Sequence, residues 1–300
     1  MSGMHRNRLK RTPKEHRHDR LRMLAQLISA VIINGYAAGF VGGKIFTGKS
    51  KMLCVPVLNC YSCPGALGAC PVGALQAVAG GRKHNVSFYV LGTLMLFGVL
   101  LGRLICGFLC PFGFIQDLLY KIPLPKITVP KKLDKALRFL KYAVLLFFVL
   151  LLPVLAANQF GVGDPWFCKY ICPAGTLEGG IPLLLMNEGL RKAAGVLFSW
   201  KTGVLVLVIL GSLFISRFFC RYLCPLGAFY SLFNRFALYR MNVDKEKCID
   251  CGKCEAVCPM AVEVTKNINC GECIRCGKCR AACPNNAITA DICKERKKED

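Results

Sequence analysis

The sequence predicts an α-helical membrane protein with four transmembrane helices, arranged as two parallel two-helix repeats, and a small α+β cluster-binding domain at the carboxy end. Three observations predict it. The 300 residues are 54% hydrophobic with a positive mean hydropathy, too apolar for an ordinary soluble domain. Several apolar runs approach the roughly 20 residues that a bilayer requires. Twenty cysteines fall into Cys-x2-Cys and Cys-x3-Cys-Pro groups, the spacing of metal ligands rather than of a disulfide scaffold. So many thiolates imply burial, or a reducing compartment on at least one face.

The first 22 residues carry eight Lys or Arg and read as a poorly ordered basic tail. The following apolar run is long enough to span, so no cleavable signal peptide is expected. The first span runs from about Met23 to Phe46. Met52 to Gly81 holds four cysteines and no charge. Pro56, Pro64 and Pro71 keep it from being one helix, which suits a re-entrant or cofactor-lined loop. The second span is about Val86 to Ile105, the third Phe139 to Ala157 and the fourth Thr202 to Phe219. The Pro- and Lys-rich linker Pro123 to Lys135 is expected to be exposed, and a second cysteine loop covers Asp164 to Pro182. The expected domains are a tail over 1–22, a membrane domain over 23–240, a two-cluster domain over 241–290 and a charged tail over 291–300.

An internal repeat supports the duplication. Cys70-Pro-Val-Gly and Cys172-Pro-Ala-Gly follow spans one and three, and Cys110-Pro-Phe-Gly and Cys224-Pro-Leu-Gly follow spans two and four. Parallel repeats about an axis along the membrane normal are a known arrangement. Lys and Arg are dense in the tail and in the middle linker, which places both termini on the cytoplasmic face of a bacterial or archaeal plasma membrane.

The strongest chemical signal is Cys248-x2-Cys251-x2-Cys254-x3-Cys258-Pro followed by Cys273-x2-Cys276-x2-Cys279-x3-Cys283-Pro. Three close cysteines wrap one corner of a cubane and the fourth crosses to the other cluster. That assigns Cys248, Cys251, Cys254 and Cys283 to one [4Fe–4S] cluster, and Cys273, Cys276, Cys279 and Cys258 to a second. Structural zinc usually uses two separated pairs instead. Cys270 reads as a spare thiol, and Cys293 has no assigned role. In the membrane part, Cys106, Cys110, Cys220 and Cys224 could together hold one further cluster beside this domain. Cys54, Cys60, Cys63, Cys70, Cys168 and Cys172 share the opposite face and could supply four more ligands: Cys168 and Cys172 from the second repeat, with Cys63 and Cys70 or Cys60 from the first. Redox-active disulfides, copper or zinc thiolates and inert thiols remain alternatives for both sets.

The carboxy motif resembles bacterial-type two-cluster ferredoxins. Over about residues 20 to 290, four spans, Cys-x3-Cys-Pro after the even spans and this terminal motif together resemble the membrane-bound polyferredoxin family. That family includes the quinol-dehydrogenase ferredoxin subunit of the NapH type and the membrane halves of nitrous-oxide-reductase regulators. The chain departs from it in the Cys54–Cys70 loop and the Cys168/Cys172 pair. The resemblance implies an electron-transfer subunit of an oxidoreductase rather than a stand-alone catalyst, working in a complex with redox proteins.

The formal charge of +23 is not read as nucleic-acid binding, because the charges sit where a membrane protein needs them. Three of the four histidines lie in the tail, so paired haem ligands are not expected. Gly43-x4-Gly48-Lys49-Ser50 matches a phosphate loop but lacks the strand that motif needs. Arg103 and Lys141 are expected to snorkel, and Asp117 and Lys121 to pair on an interfacial helix. His84 reads as an interfacial residue and Asn85-Val86-Ser87 as a chance sequon. The expected function is a one-electron relay between a cytoplasmic redox partner and either the quinone pool or an extracytoplasmic flavoprotein or metalloenzyme. A copper-reducing assembly factor that uses the Cys-x3-Cys-Pro pairs is the alternative.

Overall fold

A cysteine followed by proline starts a helix wherever the repeat places one. The structure, a computed structural model, describes residues 12–81, 88–156 and 163–292. Cys70, Cys110 and Cys224 are extended residues capping the helices Pro71–Gly80, Pro111–Leu119 and Pro225–Phe233, each with its proline in the first turn. Proline is accepted there because the first N–H groups of a helix have no intrahelical partner. Cys172 is likewise extended, and the chain after it is helical through Gly175–Met186.

Among the described residues, two helices are long and apolar enough to cross a membrane, Lys131–Leu155 and Val196–Phe214, and Phe88–Leu101 is apolar but shorter. Residues 82–87, which include His84, the sequon and the start of the expected second span, lie outside the described residues, as does Cys293. The expected first span is not one helix. The chain forms a helix over Pro13–Ile33, breaks at Asn34-Gly35 and makes a short helix over Ala37–Gly42. The basic tail is also corrected, because Thr12 caps this helix by accepting from the Glu15 N–H, and Pro13 sits in its first turn. Its polar half is ordered because Asp19, Arg22 and Gln26 are buried, and Arg22 finds carboxylate partners across the fold.

The loop after Gly43 is pinned by a parallel bridge between Cys54 and Ala69. Between them Val57, Leu58 and Asn59 are buried. A short helix, not a strand, precedes the Gly43 pattern, which removes the phosphate-loop context.

The carboxy domain pairs β1 (Tyr239–Val243) antiparallel with β2 (Ile288–Ile292). Asn269 ties β1 down by hydrogen-bonding both the N–H and the carbonyl of Met241. Gly252 and Gly277 have φ of 69° and 72° and open the one-turn helices Lys253–Ala256 and Lys278–Ala282, a left-handed conformation that glycine adopts without steric cost.

This domain sits at one end of the long Lys131–Leu155 helix. Near that end, Lys131 pairs with Glu263 and Arg138 donates to the Met260 carbonyl. Its other half, Val144–Leu155, packs on Pro71–Gly80.

Candidate iron–sulfur centres

Among the described residues, three cavities are each ringed by four cysteines. Cys248, Cys251, Cys254 and Cys283 line the first, with Ile249 and Val264. Cys258, Cys273, Cys276 and Cys279 line the second, with Met241 and Met260. Cys106, Cys110, Cys220 and Cys224 line the third, together with Arg103 and with Pro56, Val57 and Leu58 from the first cysteine loop. A fourth group, Cys60, Cys70, Cys168 and Cys172, lies within mutual electrostatic reach. Cys63 is buried beside Lys51 and Glu178, Cys54 lies towards Cys70 and Tyr230, and Cys270 does not line the second cavity.

Among the described residues no group of three or more His, Cys, Asp or Glu converges tightly enough for a single ion. Thiolates around a cubane stand further apart, because each meets a different iron. Backbone donors also face the sulfurs. Gly175 and Gly227 N–H donate to Cys172 and Cys224 Sγ, each at 3.3 Å, which gives the glycine of the Cys-Pro-x-Gly turn a role. In the carboxy domain Val262 N–H reaches Cys258 at 3.4 Å and Ala287 N–H reaches Cys283 at 3.3 Å. These donors favour the charged, metal-bound sulfur. Burial pushes the Cys258 thiol up to about 11 and the Cys273 thiol to about 12, so iron uptake there must displace protons. The side-chain amide of the fully buried Asn59, next to Cys60, has no hydrogen-bond partner among the described residues. These features fit [4Fe–4S] clusters.

The two groups outside the carboxy domain are built alike. Gln116, six residues after Cys110, donates to Cys220 Sγ at 3.1 Å and accepts from the Phe219 N–H at 3.0 Å. Gln76, six after Cys70, donates to Cys168 Sγ at 3.2 Å and accepts from the Phe167 N–H at 2.9 Å. In the second repeat the equivalent positions hold Tyr230, which donates to the Pro56 carbonyl, and Glu178, which accepts from the Cys60 N–H.

Several charged residues do otherwise than expected. Arg103 and Lys141 are both 0% exposed and do not snorkel. Both meet Glu272 of the carboxy domain, because that domain covers the helix ends where a bilayer surface was expected. Asp117 pairs with Arg217 and Arg22 rather than with Lys121. Burial opposes ionisation of Asp117, but Arg217, then Arg22 and Lys278, outweigh it and hold the carboxyl well below the usual range. Burial likewise opposes ionisation of Glu272, and Arg103 and Lys141 outweigh it and lower its pKa. Gly107, between Cys106 and Cys110, lies against the second centre: a Cβ there would meet the Ile274 carbonyl at 2.5 Å and Cys276 Cα at 3.5 Å. Sequence reasoning missed Gln76, Gln116, Gly107 and the roles of both arginines. The signals available were a Gln six residues after two of the Cys-Pro steps, and Arg-x2-Cys-x3-Cys-Pro occurring twice.

The fold and these cysteine groups define a ferredoxin-type iron–sulfur protein with an electron-transfer role. The family described as 4Fe-4S binding domain matches three segments, 84–130, 141–182 and 196–245, and the 4Fe-4S dicluster domain matches 240–284. The chain belongs to the family of the uncharacterized protein MJ0750 of Methanocaldococcus jannaschii, 30% identical over 187 residues, 60% of this chain and 68% of that protein. The uncharacterized protein MJ0749 of the same organism is 32% identical over 174 residues, 56% of each chain. The putative electron transport protein YccM of Escherichia coli strain K12 is 28% identical over 192 residues, 62% of this chain and 49% of that one. The chain thus spans about half the length of two of these relatives. No solved structure matches it.

Proposed function

We propose that the chain is a membrane-bound, NapH-like iron–sulfur relay that carries electrons from a cytoplasmic redox protein across the membrane to an extracytoplasmic acceptor. On this reading each of the four cysteine groups, including Cys60, Cys70, Cys168 and Cys172, holds a [4Fe–4S] cluster, which supplies one-electron oxidation and reduction. The observation that carries the reading is the position of the centres along the Lys131–Leu155 helix. The carboxy domain meets its first half, from Lys131 to Lys141, and Pro71–Gly80, the helix begun by Cys70, packs along its second half, Val144–Leu155.

The residues order the centres. Cys251 is exposed, so the first centre is the entry for a soluble partner. The second is buried against Gly107 and so adjoins the inner group. Pro56–Leu58 and Tyr230 lie between the inner group and the outer one. The cluster of Lys131, Lys132 and Lys135 supports a cytoplasmic position for this end. In this topology the shorter Phe88–Leu101 and the Pro13–Ile33 segment complete a four-helix membrane part.

Proteoliposomes with ferricyanide trapped inside test this. Dithionite added outside, where it reaches only outward-facing carboxy domains, is expected to reduce the trapped acceptor. Reoxidation by a lipid quinone alone would redirect the relay to the quinone pool. Stoichiometric copper with no cluster beyond the carboxy pair would overturn it.

A further inference from the structure

We propose that Arg103 raises the reduction potential of the inner centre, and that Glu272 of the carboxy domain limits how strongly it does so. The inference rests on reading Cys106, Cys110, Cys220 and Cys224 as the ligands of one iron–sulfur cluster.

Arg103 lines the inner cavity and is fully buried. Its Nη2 donates to the Cys220 carbonyl at 3.2 Å, and its Nη1 donates to the Gly271 carbonyl at 2.8 Å and to Glu272 at 3.2 Å. Its Nε–H has no partner among the described residues. The guanidinium has room because position 227 is glycine, where a Cβ would meet Nη2 at 3.2 Å.

The repeat gives this arginine a counterpart that acts as a built-in comparison. Arg217 also stands three residues before the first cysteine of its pair. It donates to the Cys106 carbonyl and packs against Gly113 as Arg103 does against Gly227. Each arginine shares its carboxylate with a second buried cation, but the pairings differ. Arg217 makes a two-point pair with Asp117, at 3.0 and 2.6 Å, and Arg22, the other cation on Asp117, has a carboxylate of its own in Asp19. Arg103 meets Glu272 through Nη1 alone, shares it with Lys141, and takes it from the carboxy domain.

A cluster held by four thiolates would be anionic, and its one-electron reduction would change no bond at Arg103. A buried cation beside that centre favours the reduced form, because charge interactions are strong where water is excluded. Glu272 opposes it. Its carboxylate belongs to the loop that leads to Cys273, so docking of the carboxy domain sets the electrostatics of the next centre in line.

The test is redox titration of the full-length protein in detergent, followed by EPR, with Cys106→Ser used to identify the inner signal by its loss. Arg103→Gln is expected to lower the inner potential, Glu272→Gln to raise it, and Arg103→Lys to keep most of the wild-type value. A purely structural role would not give shifts of opposite sign. Shifts of the same sign, or an inner signal that Arg103→Gln leaves in place at an unchanged potential, overturn the proposal. If Arg103→Gln loses the inner signal, Glu272→Gln decides alone, and an unchanged or lowered potential overturns it. A wild type with only the two carboxy-domain signals overturns the cluster reading itself, a failure distinct from an unshifted third signal.

Discussion

Asp117 holds two guanidiniums that are 95 and 100 residues away in the chain. Removing one partner of a buried ion pair costs about 3–5 kcal/mol, because the remaining charge stays buried. Asp117→Ala should therefore destabilise the helical part by about that much in denaturation followed by tryptophan fluorescence. The pH dependence has a definite sign. The folded-state pKa of Asp117 is depressed, so its contribution is complete above the unfolded carboxylate value of about 3.9 and is lost as pH falls towards the folded value. The difference in stability between wild type and Asp117→Asn should be largest above pH about 5 and should shrink below about 4. At this scale the cysteines of the carboxy domain were legible, because ligands three and four residues apart declare themselves locally. The partners of Asp117, Arg103 and Lys141 were not. Those contacts cross between repeats and domains, and the residues stood at span ends where solvent or headgroups were the natural expectation.

Among the elements, the helices begun by Cys-Pro were legible because proline at the first turn and a repeated glycine are local instructions. The first span was misread because the helix begins at Pro13, before it, and the chain breaks inside it at Asn34-Gly35. Asp19, Arg22, Gln26 and Ser29 recur at helical spacing and are buried, while Leu24, Leu27, Ile28 and Val31 are exposed, so this helix turns its polar stripe to the protein and its apolar face outward. The contact between the Cys106–Cys110 turn and the Ile274–Cys276 turn allows a direct test. A side chain at position 107 has no room, and overpacking of this kind costs about 1–3 kcal/mol. Gly107→Val should leave both carboxy-domain EPR signals intact while slowing reduction of the inner centre by dithionite in stopped-flow experiments. An unchanged rate would remove this turn from the path.

For the whole molecule, the central feature is one long apolar helix, Lys131–Leu155, whose first half meets the carboxy domain and whose second half packs on the helix begun by Cys70. The sequence carried this arrangement only as a repeat of Cys-Pro-x-Gly. It did not say which thiols of the Cys54–Cys70 loop join Cys168 and Cys172, because spacing within a loop does not define its path. The folded loop brings Cys60 and Cys70 to that pair, and carries Pro56–Leu58 down to cover the inner cavity. The claim that matters most is that the membrane part, and not only the carboxy domain, holds clusters. Iron and acid-labile sulfide counted on anaerobically purified full-length protein test it most directly. Four [4Fe–4S] centres predict about sixteen of each per chain, whereas about eight of each, the content of the carboxy domain alone, would contradict the account.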